Sequence, residues 1–181
     1  MTATVVNKQA RVFFALWPDT QTREEIASWQ EPLSHIVGGR VLPTENLHNT
    51  LVFLGAVALE RMENLLLAAQ EVSGEIFQLD YTTARYWGHN KIVYAAPEIV
   101  PPQLMQLVQA LEHALQHHHF IFERRAYKPH VTLLRHARWS DTPLPPMQAV
   151  KWVVQDFVLV QTHGEGQGVR YEVLAHFPLI E

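Results

Sequence analysis

Residues 42–55 read LPTENLHNTLVFLG, and the central His48-Asn49-Thr50-Leu51 of this stretch recurs 82 residues later as His130-Val131-Thr132-Leu133. Each motif stands in a short apolar, β-branched run that is typical of a buried β-strand. At this chain's own residue usage, two chance matches to His-x-Thr-Leu are expected only about 0.003 times. The repeat therefore predicts two equivalent strands whose motifs contribute to the same function.

The spacing of each motif predicts which side chains act together. On a strand, residues two apart project from the same face, so His48 lies beside Thr50 and His130 beside Thr132. If the two strands adjoin or face a cleft, one neutral imidazole can take a proton from water while one protonated imidazole gives a proton to a leaving oxygen. The hydroxyls would bind the non-bridging oxygens of a phosphodiester. The alternative for either histidine alone is a hydrogen-bonded strand residue, but the pairing favours chemistry.

The rest of the chain predicts an α+β protein with mainly antiparallel sheet. Residues 11–17 form an apolar run that ends at Pro18, and a helix should follow it, with N-caps available at Asp19 and in a Thr22 capping box. Further elements are predicted from periodicity and turn residues: helices over 60–73 and from Pro101 to about His117, a hairpin of 76–86 with 91–96, and two long strands at 150–162 and 169–177.

Composition limits the classes of protein that fit. The chain has 181 residues, no cysteine, 48% hydrophobic residues and a formal net charge of −4, which predicts one globular domain. Without cysteine there is no thiolate nucleophile and no Cys-ligated metal. The net charge argues against binding nucleic acid by bulk charge. Because no apolar stretch approaches the ~20 residues that span a bilayer, we expect a cytoplasmic protein without a membrane partner.

The paired motifs resemble those of the two-histidine phosphoesterase superfamily, and within it those of the RNA 2′,3′-cyclic phosphodiesterases, also called 2′-5′ RNA ligases. The resemblance covers nearly the whole chain and is supported by RVFFALWP at 11–18, PHVTLLR at 129–135 and YEVLAHFPL at 171–179. It implies a bilobal, pseudo-twofold α+β fold, with mainly antiparallel sheets, flanking helices and a central cleft. Residues 1–181 would then form a single two-lobed domain.

The resemblance also implies an activity and a role for each residue of the motifs. The reaction would be metal-independent, cofactor-free hydrolysis of a 2′,3′-cyclic phosphate at an RNA end to a 2′-phosphate, with 2′-5′ ligation in some members. By carry-over, His48 is the proton donor to the leaving 3′ oxygen, His130 is the base that activates water, and Thr50 and Thr132 hold the phosphate. We expect a monomer without an obligatory protein partner.

Two positions need a structural explanation. Asn49 stands where the family usually has an apolar residue, and a buried amide needs hydrogen-bond partners. Arg135 matches an arginine often found after the second motif and would suit phosphate binding. Strict alternation places Arg135 on the face opposite His130, so it reaches the phosphate only through a bulge or the end of the strand. The alternative for Arg135 is an ion-pair residue.

Other signals have simpler explanations. The histidines near 113–119 could bind a metal, but we expect them to form a solvated helix end: His113, His117, His118 and His119. Phe14 and Phe53 could stack on a base, but we expect them to pack in the core. We expect Lys128 and Arg40 to be ordinary surface charges. Tyr127 stays open between base stacking and packing. Two other functions also stay open: an esterase of small cyclic nucleotides or 2′-5′ oligonucleotides, and a non-catalytic module that binds RNA or nucleotides.

Overall fold

The computed structural model describes residues 8–181. Within that range the helices are α1 Thr20–Ala27, α2 Gln30–Val37, α3 Met62–Gln70 and α4 Pro102–His117. The strands are β1 Gln9–Leu16, β2 Arg40–Val41, β3 Asn49–Ala58, β4 Phe77–Tyr81, β5 Thr83–Trp87, β6 Ile92–Ala96, β7 Val131–Arg135, β8 Val150–Val154, β9 Asp156–His163 and β10 Arg170–Pro178. Every helix in this part of the chain is too short or too polar to cross a membrane.

The strands form two four-stranded sheets and one small one. Their orders are β10-β9-β1-β3, β2-β7-β6-β5 and β4-β8, and the neighbouring strands in each sheet are antiparallel. The predicted α+β class with mainly antiparallel sheet is therefore confirmed. One His-x-Thr motif opens β3 in the first sheet, and the other opens β7 in the second.

The helix predicted after Pro18 is in fact two helices. Asp19, not Thr22, is the N-cap, because its carboxylate accepts the Thr22 backbone N–H at 2.8 Å. The break falls between α1 and α2, where the Ser28 hydroxyl donates to the Glu25 carbonyl oxygen at 2.6 Å and competes with the helical bonds. Trp29 is 2% exposed, so the apolar face that the periodicity predicted is buried across the break.

Two long strand predictions each prove to be two strands in different sheets. The predicted hairpin is confirmed only for β5 and β6, whereas β4 leaves at Thr82 to pair with β8. The run at 150–162 divides at Gln155, so that β8 joins β4 while β9 joins β1 and β10. The apolar pattern within a strand carries no information about which partner that strand takes.

Candidate active site

A cleft of about 340 Å³ brings together all five residues that the sequence singled out, namely His48, Thr50, His130, Thr132 and Arg135. His48 and His130 directly precede β3 and β7, Thr50 lies on β3, and Thr132 and Arg135 lie on β7. Two motifs that are 82 residues apart and belong to different sheets thus contribute equivalent groups to one space.

Hydrogen bonding fixes the orientation of the His48 ring. Its Nδ1 lies 2.7 Å from the carbonyl oxygen of Asn46, and because a carbonyl only accepts, Nδ1 must carry the hydrogen. In the neutral ring Nε2 therefore has the lone pair, and it accepts from the Thr50 hydroxyl at 3.1 Å. Nε2 is thus the atom available for proton transfer.

Aromatic side chains enclose His48. Trp17 stacks on the imidazole with ring centroids 5.5 Å apart, while Phe13 and Tyr171 lie at 5.0 and 5.1 Å. Burial disfavours the charged ring and lowers the His48 pKa to about 4, even though the bond to Asn46 acts in the opposite direction. The nearby positive charges of His130 and arginines lower this pKa further. His48 is therefore neutral at pH 7 in the free protein.

His130 repeats this arrangement in a more open setting. Its Nδ1 lies 2.7 Å from the carbonyl oxygen of Lys128, again two residues upstream, which leaves Nε2 for chemistry. The rings of Trp87 and Tyr94 meet the imidazole edge-on at 5.8 and 5.5 Å. Burial lowers the His130 pKa as well, although the bond to Lys128 opposes the shift.

A register shift in β7 explains how Arg135 reaches the cleft. In the β6–β7 ladder Tyr94 faces Thr132 and Val93 faces Leu134, so Leu133 is an extra residue, and alternation restarts after it. Leu133 and Leu134 both point into the core, and Arg135 returns to the face of Thr132. The bulge foreseen as one route for Arg135 is the one that the chain takes.

The first motif strand has the same irregularity at the equivalent residue. Ala15 faces Thr50 and Phe14 faces Val52 in the β1–β3 ladder, so Leu51 is the extra residue. Phe53 consequently lines the cleft and is 36% exposed, which shows that its prediction as a core residue was wrong. Phe14, on the other side of the sheet, is fully buried as predicted.

Asn49 finds the partners that its burial requires. Its side chain is fully buried, its amide donates to the Tyr81 hydroxyl at 2.9 Å, and its carbonyl oxygen accepts from the Tyr127 hydroxyl at 2.9 Å. Burial raises the pKa of both tyrosines, so the hydroxyls stay protonated. Tyr127 is thereby engaged in packing at the back of the motif.

The aromatic wall around His48 was not predicted from the sequence. Phe13 lies on β1 and Trp17 directly follows it, and the run at 11–17 was interpreted only as a buried strand. The available signal was that this run is apolar on both faces, which requires a cover on each side. On the cleft side, that cover includes the His48 ring and Tyr171.

His113, His117 and His119 near the end of α4 are exposed, as predicted, whereas His118 is hydrogen-bonded to the α3 region. His118 lies 2.9 Å from the Asn64 amide oxygen through Nδ1 and 2.8 Å from a Glu71 carboxylate oxygen through Nε2. Across residues 8–181, no three His, Asp or Glu side chains are grouped so that they could hold a metal ion.

Each of two sheets brings a His-x-Thr pair to a shared cleft, which is the arrangement that the resemblance to the two-histidine phosphoesterases implied. The family profile described as "LigT like Phosphoesterase" matches residues 16–94, which include the first motif. Over those residues the chain is similar to this family.

Two relatives are similar to the chain over nearly its whole length, including the second motif. The chain is 29% identical to the RNA 2′,3′-cyclic phosphodiesterase of Escherichia coli strain K12, over 97% of this chain and 100% of that protein. It is 23% identical to the protein of the same name from Thermus thermophilus, over 93% and 90% of the two chains. The crystal structure of E. coli LigT complexed with 3′-AMP superposes with a TM-score of 0.85 at 29% identity, over 96% of this chain and 100% of that one.

Proposed function

We propose that this protein is an RNA 2′,3′-cyclic phosphodiesterase that converts a terminal 2′,3′-cyclic phosphate into a 2′-phosphate. The observation that carries the proposal is the pair of imidazoles in one cleft, each with Nδ1 bonded to a backbone carbonyl and Nε2 left for proton transfer. The shared name of the E. coli and Thermus relatives supports both the activity and the substrate.

The proposed reaction needs one base and one acid. His130 Nε2 takes a proton from water as the water oxygen bonds to phosphorus, the bond from phosphorus to the 3′ oxygen breaks, and His48 Nε2 gives its proton to that oxygen. Thr50 and Thr132 donate hydrogen bonds to the non-bridging oxygens, where negative charge grows in the transition state. The Arg135 guanidinium offsets that charge from the same cleft.

Burial opposes the donor role of His48 until the substrate binds. With a pKa of about 4 in the free protein, its ring is neutral at pH 7. A phosphate anion in the cleft raises the pKa of an adjacent imidazole, because the opposite charge favours the protonated form. Substrate binding and protonation of His48 are therefore coupled.

The proposal is tested with an RNA oligonucleotide that ends in a 2′,3′-cyclic phosphate, in the presence of EDTA. We expect conversion to the 2′-phosphate, a loss of ~10²–10⁴ in rate in His48→Ala and in His130→Ala, and a smaller loss of roughly 10–100-fold in Thr132→Ala. Conversion that both histidine variants retain, or that EDTA abolishes, would rule out metal-free catalysis by this pair.

A change of leaving atom separates the two histidine roles. Sulfur in place of the 3′ oxygen leaves without being protonated, so His48→Ala should lose much less activity on this substrate than on the natural one. His130→Ala should lose as much on both substrates, because water must still be activated. The opposite pattern would exchange the roles of the two residues.

The same proposal includes a cofactor-free monomer that acts on RNA ends in the cytoplasm. Both motifs belong to one chain, so the cleft needs no residue from a second copy. Sedimentation of the active enzyme at assay concentration tests this point, and activity that appears only with a dimer would contradict it.

A further inference from the structure

Two arginines lie directly opposite each other at the edge of the cleft. In the β2–β7 ladder Arg40 is the cross-strand partner of Arg135. Like charges in such positions destabilise a sheet. Over residues 8–181, no carboxylate oxygen lies within 4.0 Å of either guanidinium, and the buried Nε of Arg40 has no hydrogen-bond partner. This edge of the sheet therefore keeps two positive charges uncompensated.

The chain holds β2 firmly in this position. Gly39 has a φ of +88°, and a Cβ there would lie 2.7 Å from the Arg135 carbonyl oxygen, so only glycine permits the close approach. The side chain of Gln30, 4% exposed, donates to the carbonyl oxygens of Leu42 and Leu133 at 2.9 and 3.0 Å and clamps the two segments together. The arginine pair is thus built into the fold.

A second cavity of about 280 Å³ adjoins the catalytic cleft beside this pair. Arg40 lines only the second cavity, whereas Arg135, Asn46 and Tyr171 line both spaces. The described residues around the second cavity include no acidic side chain. A positively charged space therefore continues from the place where the cyclic phosphate would bind.

We propose that Arg40, together with Arg135, binds a second phosphate group of the substrate, the one on the 5′ oxygen of the nucleotide that carries the cyclic phosphate. This inference rests on the proposed function and deepens it. A terminal nucleotide bears phosphate only at its 2′,3′ edge and at its 5′ oxygen, so a phosphate next to the catalytic one belongs to the 5′ side. In an RNA strand that group is the internucleotide phosphate, and its charge turns the repulsion between the arginines into attraction.

Three substrates test the proposal: a nucleoside 2′,3′-cyclic phosphate, the same compound with a 5′-phosphate, and the corresponding dinucleotide. We expect kcat/KM to rise about tenfold or more with the 5′-phosphate and with the dinucleotide, chiefly through KM. A rise for the dinucleotide alone would overturn the proposal, because it would assign recognition to the second nucleoside. No rise for either compound would overturn it as well.

Variants assign the effect to Arg40. Arg40→Ala should lose the preference for a 5′-phosphate, and Arg40→Lys should keep part of it. Arg85→Ala is the matched control, since Arg85 is an exposed arginine on β5, at the opposite edge of the same sheet, and lines neither cavity. A preference that survives in both Arg40→Ala and Arg40→Gln, with thermal unfolding at the wild-type temperature, would contradict the proposal.

The two proposals can fail separately. If the wild-type protein hydrolyses none of the three compounds, the proposed function is wrong. If it hydrolyses the simple cyclic phosphate through His48 and His130 but is indifferent to the 5′-phosphate, only the second phosphate site is wrong.

Discussion

The buried amide of Asn49 links three parts of the chain behind the first motif. It joins β3 to Tyr81 at the end of β4 and to Tyr127 in the segment that leads to the second motif. Each hydroxyl has lost contact with water, so each depends on this one side chain for its hydrogen bond. A single residue thereby fastens both motif segments to a common support.

We therefore expect Asn49→Ala to lower the free energy of unfolding by about 2–5 kcal/mol, because it leaves two buried hydroxyls unpaired and a cavity behind. Urea unfolding measures the change. The control is the triple variant Asn49→Leu, Tyr81→Phe, Tyr127→Phe, which removes all the polar groups together and should recover most of the loss. A triple variant less stable than Asn49→Ala would show that the hydrogen bonds are not the source of the effect.

The enclosure of His48 makes the stability of the protein depend on pH. The pKa of about 4 in the folded state lies below the ordinary value of 6.5, so the unfolded chain takes up the proton first as the pH falls. The contribution of the neutral His48 ring to the free energy of unfolding is complete above pH 6.5 and is lost on acidification towards pH 4. Its upper limit is about 3.5 kcal/mol, since the pKa falls from 6.5 to about 4 and one pKa unit corresponds to about 1.4 kcal/mol.

Unfolding at pH 7 and pH 4.5 tests this sign. The wild-type protein should lose stability over the interval, and His48→Gln should lose less, because it has no imidazole to protonate. Part of the slope will persist in the variant, since burial also lowers the His130 pKa. Equal slopes in the two proteins would show that the His48 ring is not held neutral.

Individual strands show why the sequence predicts some elements and not others. Short apolar runs identified β1, β3 and β7, and the Pro101-Pro102 start of α4 was also correct. The bulge at Leu51 was not predicted, and a bulge near Arg135 was only one of two routes considered, because Leu51 and Leu133 are apolar and buried as ordinary strand residues would be. The pairing of β4 with β8 was not predicted for a different reason, since it depends on residues some 70 positions away in the sequence.

The placement of β2 depends on Gly39, and we expect Gly39→Ala to be strongly destabilising. The substitution combines a positive φ with a contact 2.7 Å from backbone, so β2 must move away from β7. Gly166→Ala is the matched control: its φ is +60° but nothing lies within 4 Å of the new Cβ, so it should cost only about 1–2 kcal/mol. Similar melting temperatures for the two variants would mean that the close approach of Gly39 to the Arg135 backbone does not contribute to the destabilisation.

On the scale of the whole molecule, the cleft is assembled from sheets whose pairings are far apart in the sequence. The first sheet holds His48 against β1, and the second holds His130 against β6. Each lone imidazole is a weak catalyst, because the reaction needs a proton removed from water and another delivered to the leaving oxygen. The relative placement of the two sheets is therefore what makes the residues a functional unit.

Groups that act as a unit lose their effect together, so the two histidine substitutions should not multiply. If the contributions were independent, the double variant His48→Ala, His130→Ala would lose about 10⁴–10⁸ in rate, the product of two losses of ~10²–10⁴. We expect instead a rate within about tenfold of the slower single variant, because removing one partner already disables the proton relay. Single-turnover rates on the cyclic phosphate measure this.

The control is the double variant His48→Ala, His176→Ala. His176 is exposed and bonded to Asp156, so the second substitution should leave the rate of His48→Ala unchanged. Multiplicative losses in the double variant would mean that each histidine stabilises the transition state alone, and the two sheets would then contribute two separate sites of interaction with the phosphate.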